Sequence, residues 1–223
     1  MKTRSRFLSF GFATAMMTGA AFQAHAGVIC SPVAAVINVG GPGFGSINDT
    51  FNHNGLLTPF VSCVTDFNTY IATNPKHSLV FAGNEWFSNS GTTTATVTYD
   101  MGSAMMWDRL ALWNEDASGI GRLALQISQD NITFTSFVTG LTPTNNPINF
   151  DYPADVFSFA PTTFRYVRFV MTECPQADPG NFPSCAIGEV ALRKAMVPEP
   201  EPFALMLVGL GAFGFAARRS RKA

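Results

Sequence analysis

The sequence predicts an all-β protein whose folded body is a single jelly-roll β-sandwich. Short runs that alternate apolar and polar side chains recur along the body, and glycine, proline, serine, threonine and asparagine separate them. Helical periodicity is limited to a turn or two around residues 64–72. The body, residues 27–195, has the length of one domain and enough aromatic and aliphatic side chains to bury a sizeable core.

Five segments of the body carry the strand pattern. Residues 92–99 alternate threonine with apolar side chains, and residues 123–127 alternate leucine and isoleucine with smaller or polar ones. A turn-forming Ser-Gln-Asp-Asn follows, after which residues 132–138 resume an extended pattern. Residues 165–171 alternate again, and residues 187–192 form the last strand. Several short strands at this spacing predict a sandwich or jelly roll.

Residues 1–26 have the parts of a secretory signal peptide in the expected order. Three basic residues lie among the first six, an apolar stretch follows to residue 22, and Ala24-His25-Ala26 matches the A-x-A cleavage pattern. We therefore expect signal peptidase to release a mature chain that begins near Gly27. An N-terminal membrane anchor is the alternative, which the cleavage triplet and the threonine, serine and glycine content of the apolar stretch disfavour.

Residues 196–223 form a second targeting segment. It comprises a proline-rich spacer that includes Val197, Pro198, Glu199 and Pro200, an apolar stretch at residues 203–217, and a basic tail that begins with Arg218 and Arg219. As a transmembrane helix the apolar stretch would span only about 22 Å, less than the roughly 30 Å of the hydrocarbon core. The basic tail is expected to stay cytoplasmic, so the body would face outward. An ordinary short C-terminal anchor is the alternative.

This order of parts resembles the PEP-CTERM sorting signal of Gram-negative bacteria. The resemblance implies that the C-terminal helix holds the chain transiently in the inner membrane and that a membrane exosortase cuts near the Pro-Glu-Pro sequence. It also implies a final location at the cell surface or in the extracellular matrix, and a link to exopolysaccharide. It says almost nothing about what the body itself does.

The charge of the exported body limits its partners. The whole chain has a formal net charge of −1, but both ends are basic, and residues 27–195 contain 7 basic and 13 acidic side chains. A body near −6 disfavours nucleic acid and anionic membrane surfaces as partners. Neutral glycans and divalent cations are compatible with it.

All four cysteines lie in the body, and an even number in an exported protein predicts disulfides. Three pairings are possible. We favour Cys174–Cys185, which would close a hairpin-like loop, and Cys30–Cys63, which would tie down the N-terminal segment. A zinc site is the alternative, which the lack of a C-x-x-C motif and of histidine at finger spacing disfavours.

Four motifs of the body, taken in order, resemble a discoidin, or coagulation-factor type C, domain. They are "DRLALWNED" (residues 108–116), "LALQISQDNITFTSF" (123–137), "FRYVRFVM" (164–171) and "AIGEVAL" (186–192). The resemblance covers about residues 46–193 and implies the galactose-binding-like form of the jelly roll. This sequence departs from the family pattern between residues 64 and 86, where it is longer than the family's compact loop.

The resemblance also implies one structural Ca²⁺, held by oxygens of the loop before the first core strand and by a late glutamate. Carried onto this sequence, the late glutamate is Glu189, and Asp66, Thr65 and Asn68 are the loop candidates. Other roles are open: Glu189 could pair with an arginine such as Arg165 or Arg168 or face solvent, and Asp66 could cap a turn.

Glycan binding is the functional hypothesis that the sequence favours. Exposed aromatic and polar side chains on loops at one end of a sandwich can stack on sugars and orient them. The candidates are Trp86, Trp113, Asn114, Tyr152 and Phe182. The alternative, which is strongest for Trp113, is that the tryptophans pack in the core.

Nothing in the sequence indicates an enzyme. G-x-S-x-G, H-E-x-x-H and P-loop motifs are absent, and the body has only two histidines to act as bases. A pair of carboxylates for glycoside cleavage remains the open alternative, because their spatial arrangement is invisible in a sequence. We therefore expect an exported, surface-sorted, non-catalytic protein that binds or structures extracellular polysaccharide or the cell envelope. A purely structural matrix or biofilm protein without a small ligand is the runner-up.

Overall fold

The structure, a computed structural model, describes residues 27–176 and 182–195. Both predicted targeting segments, including the apolar stretch at residues 203–217, lie outside these ranges. The described chain is almost entirely β, in agreement with the sequence prediction. Its strands are β1 (Ile29–Cys30), β2 (Ala34–Val39), β3 (Phe44–Gly45), β4 (Lys76–His77), β5 (Trp86–Phe87), β6 (Ala95–Asn114), β7 (Arg122–Ser128), β8 (Thr135–Leu141), β9 (Tyr152–Pro153), β10 (Asp155–Thr172) and β11 (Ala186–Lys194).

Two long antiparallel strands, β6 and β10, run through both layers of the sandwich. Their pairing extends from Asp155 opposite Leu112 to Met171 opposite Ala95, with register shifts between Ser158 and Thr162 and between Phe164 and Tyr166. Bulges of this kind bend a strand and increase its local twist. Each strand therefore contributes its two halves to different layers.

We name the two layers by their strands. Layer A has the order β2, first half of β6, second half of β10, β7 and β8. Layer B has the order β5, β11, second half of β6 and first half of β10, with β1 also paired to β11 and β3 to β5. A separate two-stranded ribbon joins β4 to β9.

The core lies between the layers and follows the alternation read from the sequence. Val97 and Tyr99 of β6 and Phe169 of β10 are fully buried from layer A, and Leu112 and Val190 meet them from layer B. Because successive strand residues point to opposite faces, the residues between them in layer A face outward.

One short helix, α1 (Phe67–Ala72), lies where the sequence allowed a turn or two of helix, around residues 64–72. It begins at Asp66, whose Oδ1 accepts a hydrogen bond from the backbone N–H of Thr69 at 2.6 Å. Two 3₁₀ turns, Ile47–Thr50 and Val80–Ala82, complete the helical content of the described residues. No helix in those residues is long and apolar enough to cross a membrane.

Both predicted disulfides form. Cys30–Cys63 joins β1 to the loop before α1 with a Cα–Cα distance of 4.4 Å, and Cys174–Cys185 joins the end of β10 to the residue before β11 at 5.0 Å. The described residues contain no free cysteine. The pairing favoured from the sequence is confirmed.

Candidate functional site

One end of the sandwich is built from loops that are cross-linked to one another. We call this region the loop end; it comprises residues 83–94, 115–121, 142–151, 173–176 and 182–185. The backbone N–H of Gln176 donates to the carbonyl of Gly119 at 3.0 Å, and that of Cys174 donates to Thr93 at 3.2 Å. These bonds hold loops from different strands in one frame.

Asn114, the last residue of β6, ties three of these loops together. Its Nδ2 donates to the carbonyl of Thr144 at 2.9 Å and to Oε1 of Gln176 at 3.0 Å. Its Oδ1 accepts from the N–H of Ile120 at 2.8 Å. Asn114 is fully buried, so its amide positions loops and is not available to a ligand, which corrects the sequence prediction.

An open cleft of about 540 Å³ lies between these loops. The described residues that line it are mostly polar or small: Thr93, Gly121, Thr142, Pro143, Asn145, Glu173, Cys174, Pro175 and Gln176. Gln176 is anchored, since its Nε2 donates to the carbonyl of Pro143 at 2.8 Å. The Glu173 carboxylate is two-thirds exposed and forms a 3.4 Å ion pair with Arg122. The cleft thus offers hydrogen-bonding groups to a hydroxyl-rich ligand.

A row of three phenylalanines adds an apolar surface to the loop end. Phe87 is buried, and its ring centroid lies 5.3 Å from that of Phe182 and 6.4 Å from that of Phe44. Phe182 is 39% exposed and Phe44 is 68% exposed. The sequence prediction named Phe182 but missed Phe44, which precedes β5 by about forty residues and meets it only through the pairing of β3 with β5.

Three other aromatic residues that were predicted to bind a ligand are core residues. Trp86 and Trp113 are fully buried, and their Nε1 atoms donate to the carbonyls of Pro42 at 2.9 Å and Pro75 at 3.0 Å. Tyr152 is 1% exposed and stacks on His77 with ring centroids 5.1 Å apart. None of the three presents a face to a sugar. The prediction was wrong for them because large aromatic side chains are buried wherever the face of their strand meets other elements of the core.

Beneath the loop end lies a group of five buried polar side chains, of which the sequence analysis singled out only Tyr152. We call it the buried polar cluster; its members are His77, Glu85, Glu115, Asp116 and Tyr152, each at most 2% exposed. The Asp116 carboxylate accepts from the backbone N–H groups of Val80 at 3.0 Å and Asn149 at 2.7 Å. The sequence feature that could have revealed this cluster is Asn-Glu-Asp, three polar residues directly after a run of apolar strand residues.

Four atoms of the buried polar cluster have no hydrogen-bond partner among the described residues. They are Nε2 of His77, Oε1 of Glu85, Oε1 of Glu115 and the hydroxyl of Tyr152. The Tyr152 hydroxyl fits only because residue 188 is glycine: a Cβ there would lie 2.3 Å from it. Burial is the largest cause of the pKa shifts, raising the pKa of Glu85 to about 8 and lowering that of His77 to about 4.

Glu189 lies apart from the buried polar cluster, in the middle of β11, and is fully buried. Its Oε2 accepts from the backbone N–H of His53 at 3.2 Å, while Oε1 has no partner among the described residues. Burial raises the pKa of Glu189 well above its usual value, and the negative charge of Asp49 adds to the effect. No arginine side chain forms an ion pair with Glu189 in the described structure.

The three loop residues predicted to join Glu189 have other partners. Asp66 caps α1, and Oγ1 of Thr65 accepts from the N–H of Val61 at 3.0 Å. Oδ1 of Asn68 accepts from Arg109 at 2.8 Å and from Arg193 at 3.5 Å. Arg193 lies four residues beyond Glu189 on β11. Asn68, which contacts Arg193, is therefore next to a different part of β11 from the one that carries Glu189.

An orphaned buried carboxylate oxygen suits a cation, and among the predicted ligands both Glu189 (Oε1) and Asp66 (Oδ2) have one in the described structure. The backbone group that contacts the Glu189 carboxylate is that of His53, in the loop at residues 46–54. Across residues 27–176 and 182–195, no three or more histidine, cysteine, aspartate or glutamate side chains are grouped so as to hold a metal ion. Calcium can also be bound by backbone carbonyls, so any site here would depend on main-chain oxygens.

Two protein families match parts of the chain. The family described as "F5/8 type C domain" matches residues 63–187, which is more than half of the sequence. The family described as "PEP-CTERM protein-sorting motif" matches residues 197–222. Both resemblances inferred from the sequence are thereby confirmed. No curated protein matches the chain.

Solved structures with a similar fold include several carbohydrate-binding modules. One is the CBM32 domain of AlyQ in complex with 4,5-unsaturated mannuronic acid (17% identity, 74% of this chain and 96% of that chain, TM-score 0.47). A second is chitosan-binding module 1 of a chitosanase/glucanase from Paenibacillus sp. IK-5 (19%, 75% and 98%, 0.46). A third is CpGH89CBM32-5 from Clostridium perfringens in complex with GalNAc-β-1,3-galactose (12%, 71% and 93%, 0.47).

Proposed function

The chain belongs to the F5/8 type C domain family, and from this premise we propose that it is an exported, non-catalytic protein that binds carbohydrate through its loop end. The single observation that carries the proposal is that exposed phenylalanines and a polar cleft occur on cross-linked segments, since the Cys174–Cys185 disulfide joins a residue of the cleft to the segment that carries Phe182. Phe44 and Phe182 offer ring faces, and the neighbouring loops offer carbonyl, amide and carboxylate groups. Aromatic faces with a few fixed polar groups are the usual composition of a saccharide-sized site.

The arrangement of the carboxylates supports a binding role over catalysis. Glycoside cleavage needs two carboxyl groups on either side of a substrate. Glu85, Glu115 and Asp116 lie close together but are buried, and Glu173 is the only carboxylate among the described residues that line the cleft. The carbohydrate would therefore be held without being cut.

The sorting motif supports a location outside the cytoplasm. The chain carries a PEP-CTERM protein-sorting motif at residues 197–222. We infer that signal peptidase removes residues 1–26, that residues 203–217 then anchor the chain transiently in the inner membrane, and that an exosortase-type enzyme releases it at the cell surface or into the extracellular matrix. Extracellular polysaccharide is the ligand available in that place.

We also propose a structural Ca²⁺ at Glu189. The support is its buried Oε1, which has no partner in the described part of the chain, and the contact of its Oε2 with the loop at residues 46–54. A bound cation would offset the cost of burying this carboxylate, which is otherwise expected to remain protonated. The ion would fix the loop to β11 and would take no part in sugar chemistry.

The test is a binding assay on the full chain, purified in detergent micelles, against a panel of neutral polysaccharides. Replacing Phe182 or Phe44 with alanine removes a stacking face, and we expect affinity to fall by about 10-fold or more, since aromatic anchors dominate binding free energy. Ile132→Ala is the matched control, because Ile132 is 84% exposed on the turn between β7 and β8, outside the loop end. It should leave affinity within about twofold.

Two outcomes would contradict the proposal. If the folded wild-type chain binds none of the polysaccharides, the structural matrix protein without a ligand becomes the better reading. If binding occurs but Phe182→Ala and Ile132→Ala weaken it equally, the loop end is not the site.

A further inference from the structure

Arg168 occupies the centre of the outward face of layer A. Its neighbours Val167 and Phe169 are buried, so the alternation of β10 points Arg168 away from the core. It lies opposite Thr98 of β6 on one side and Gln126 of β7 on the other. This face is separate from the loop end, because it is formed by the middles of strands.

The guanidinium of Arg168 is held in place by neutral groups. Its Nε donates to Oγ1 of Thr98 at 3.0 Å, and Oγ1 of Thr98 donates in turn to Oδ1 of Asn38 at 2.6 Å. The guanidinium carbon lies 3.5 Å from the centre of the Phe134 ring. Since Thr98 is only 4% exposed, the hydrogen bond that orients Arg168 has a rigid base. The side chain is thus ordered before any ligand arrives.

Arg168 also differs from three other arginines of the body in its charge balance. Arg122, Arg165 and Arg193 each pair with a carboxylate, from Glu173, Asp100 and Asp108 respectively. Arg109 forms no ion pair in the described residues either, but its Nη1 already donates to Asn68. Within the part of the chain that the structure describes, Arg168 has no carboxylate within 4.0 Å, and neither of its Nη atoms makes a hydrogen bond. Its positive charge is therefore uncompensated on an otherwise acidic body.

We propose that Arg168 is a second, independent binding site that takes the oxyanion of an acidic polysaccharide, either a carboxylate or a sulfate. A guanidinium whose Nη edge is free can bind both oxygens of such a group at once. Its fixed position reduces the conformational entropy lost on binding. Gln126 and Ser136 continue the same row across β7 and β8, where they can bond to hydroxyls of the same sugar.

The acidic net charge of the body does not prevent this contact. At physiological ionic strength, charges more than about 8 Å apart are largely screened. Asp100, two residues beyond Thr98 on β6, is already neutralised by a two-pronged contact with Arg165 at 2.9 Å. Local charge, not net charge, governs the contact at short range.

The test uses the full chain in detergent micelles with three probes: polygalacturonate, a sulfated galactan and a neutral galactan. Arg168→Gln should weaken binding of at least one acidic probe by about 10-fold or more, which is the loss expected for a charged hydrogen-bonded pair. Arg122→Gln makes the same change of charge on the same layer and should stay within about twofold, because its pair is exposed. The acidic probe that responds identifies the oxyanion.

Further results separate this site from the proposed function. Arg168→Gln should keep any neutral-polysaccharide binding, and Phe182→Ala should keep binding of the acidic probe. The proposal is overturned if wild-type protein binds neither acidic probe, or if Arg122→Gln weakens binding as much as Arg168→Gln does. The second result would indicate diffuse electrostatic attraction and no defined site.

Discussion

Glu189 accepts one hydrogen bond with one carboxylate oxygen, and its other carboxylate oxygen has no partner among the residues that the structure describes. The resemblance to the discoidin family singled out Glu189. Its full burial excludes the alternative that its side chain faces solvent. The companions Thr65, Asp66 and Asn68 were chosen because they precede the first core strand in the chain. The structure uses oxygens of all three for a helix cap, a turn and arginine contacts, and only Oδ2 of Asp66 is left without a partner among the described residues, so their role as ligands stays a prediction.

Calcium should stabilise the wild-type protein through Glu189. A cation that binds only the folded state raises its stability, and about 10 mM Ca²⁺ acting on a site of roughly 0.1 mM affinity should raise the melting temperature by several degrees relative to EDTA. Glu189→Gln should abolish the shift, whereas Asp66→Asn should retain it. The measurement is thermal unfolding of the full chain followed by circular dichroism. An unchanged melting temperature in wild type would exclude the site.

At the scale of elements, the long strands β6 and β10 were predicted only in part. Residues 92–99 and 165–171 were recognised because one face of each is buried and the alternation is clean. The intervening Met-Gly-Ser-Ala of β6 looks like a turn, and Gly102 has a φ of +81°. It remains strand because β10 continues to pair with β6 across a register shift. Pairing between segments sixty residues apart carries no local signal.

The two disulfides tie together elements of different sequence separation, and removing them should have different costs. Replacing both cysteines of Cys30–Cys63 with serine removes a cross-link between residues 33 positions apart. The same replacement at Cys174–Cys185 removes a cross-link between residues 11 positions apart. In the chain-entropy model these losses are about 4 and about 3 kcal/mol of unfolding free energy. Urea denaturation of the two double variants should show the Cys30–Cys63 variant to be the less stable. The reverse order would show that strain or denatured-state structure outweighs loop entropy.

At the scale of the whole molecule, the buried polar cluster couples stability to pH. Burial raises the pKa of Glu85 to about 8, and it also raises the pKa values of Glu115 and Asp116. The folded protein thus retains protons that the unfolded chain has released. The stability that these protons contribute is complete below pH 4.5 and is lost as pH rises through 8. His77 acts in the opposite sense, because its lowered pKa makes stability fall below pH 6.5.

Between pH 6.5 and 9, the pH dependence of stability in the buried polar cluster therefore comes from its carboxyl groups and not from His77. We expect the unfolding free energy to fall by at least about 1 kcal/mol across this pH range. Glu85→Gln should reduce the slope, because it removes one of the retained protons. Glu173→Gln should not, because Glu173 is exposed and outside the cluster. Urea denaturation at each pH gives the values, and a flat profile in wild type would contradict the prediction.

The sequence by itself determined the β class, the C-terminal sorting motif and the family, and it favoured the cysteine pairing that the structure forms, because each depends on local alternation, on spacing or on a contiguous motif. Only the tertiary structure decided which aromatic side chains reach solvent. It buries Trp86, Trp113 and Tyr152 and exposes Phe44 and Phe182, since exposure depends on which strands and loops cover a residue. The same holds for Arg168, whose neighbours Thr98 and Gln126 are set by strand register, a long-range property that no single segment contains.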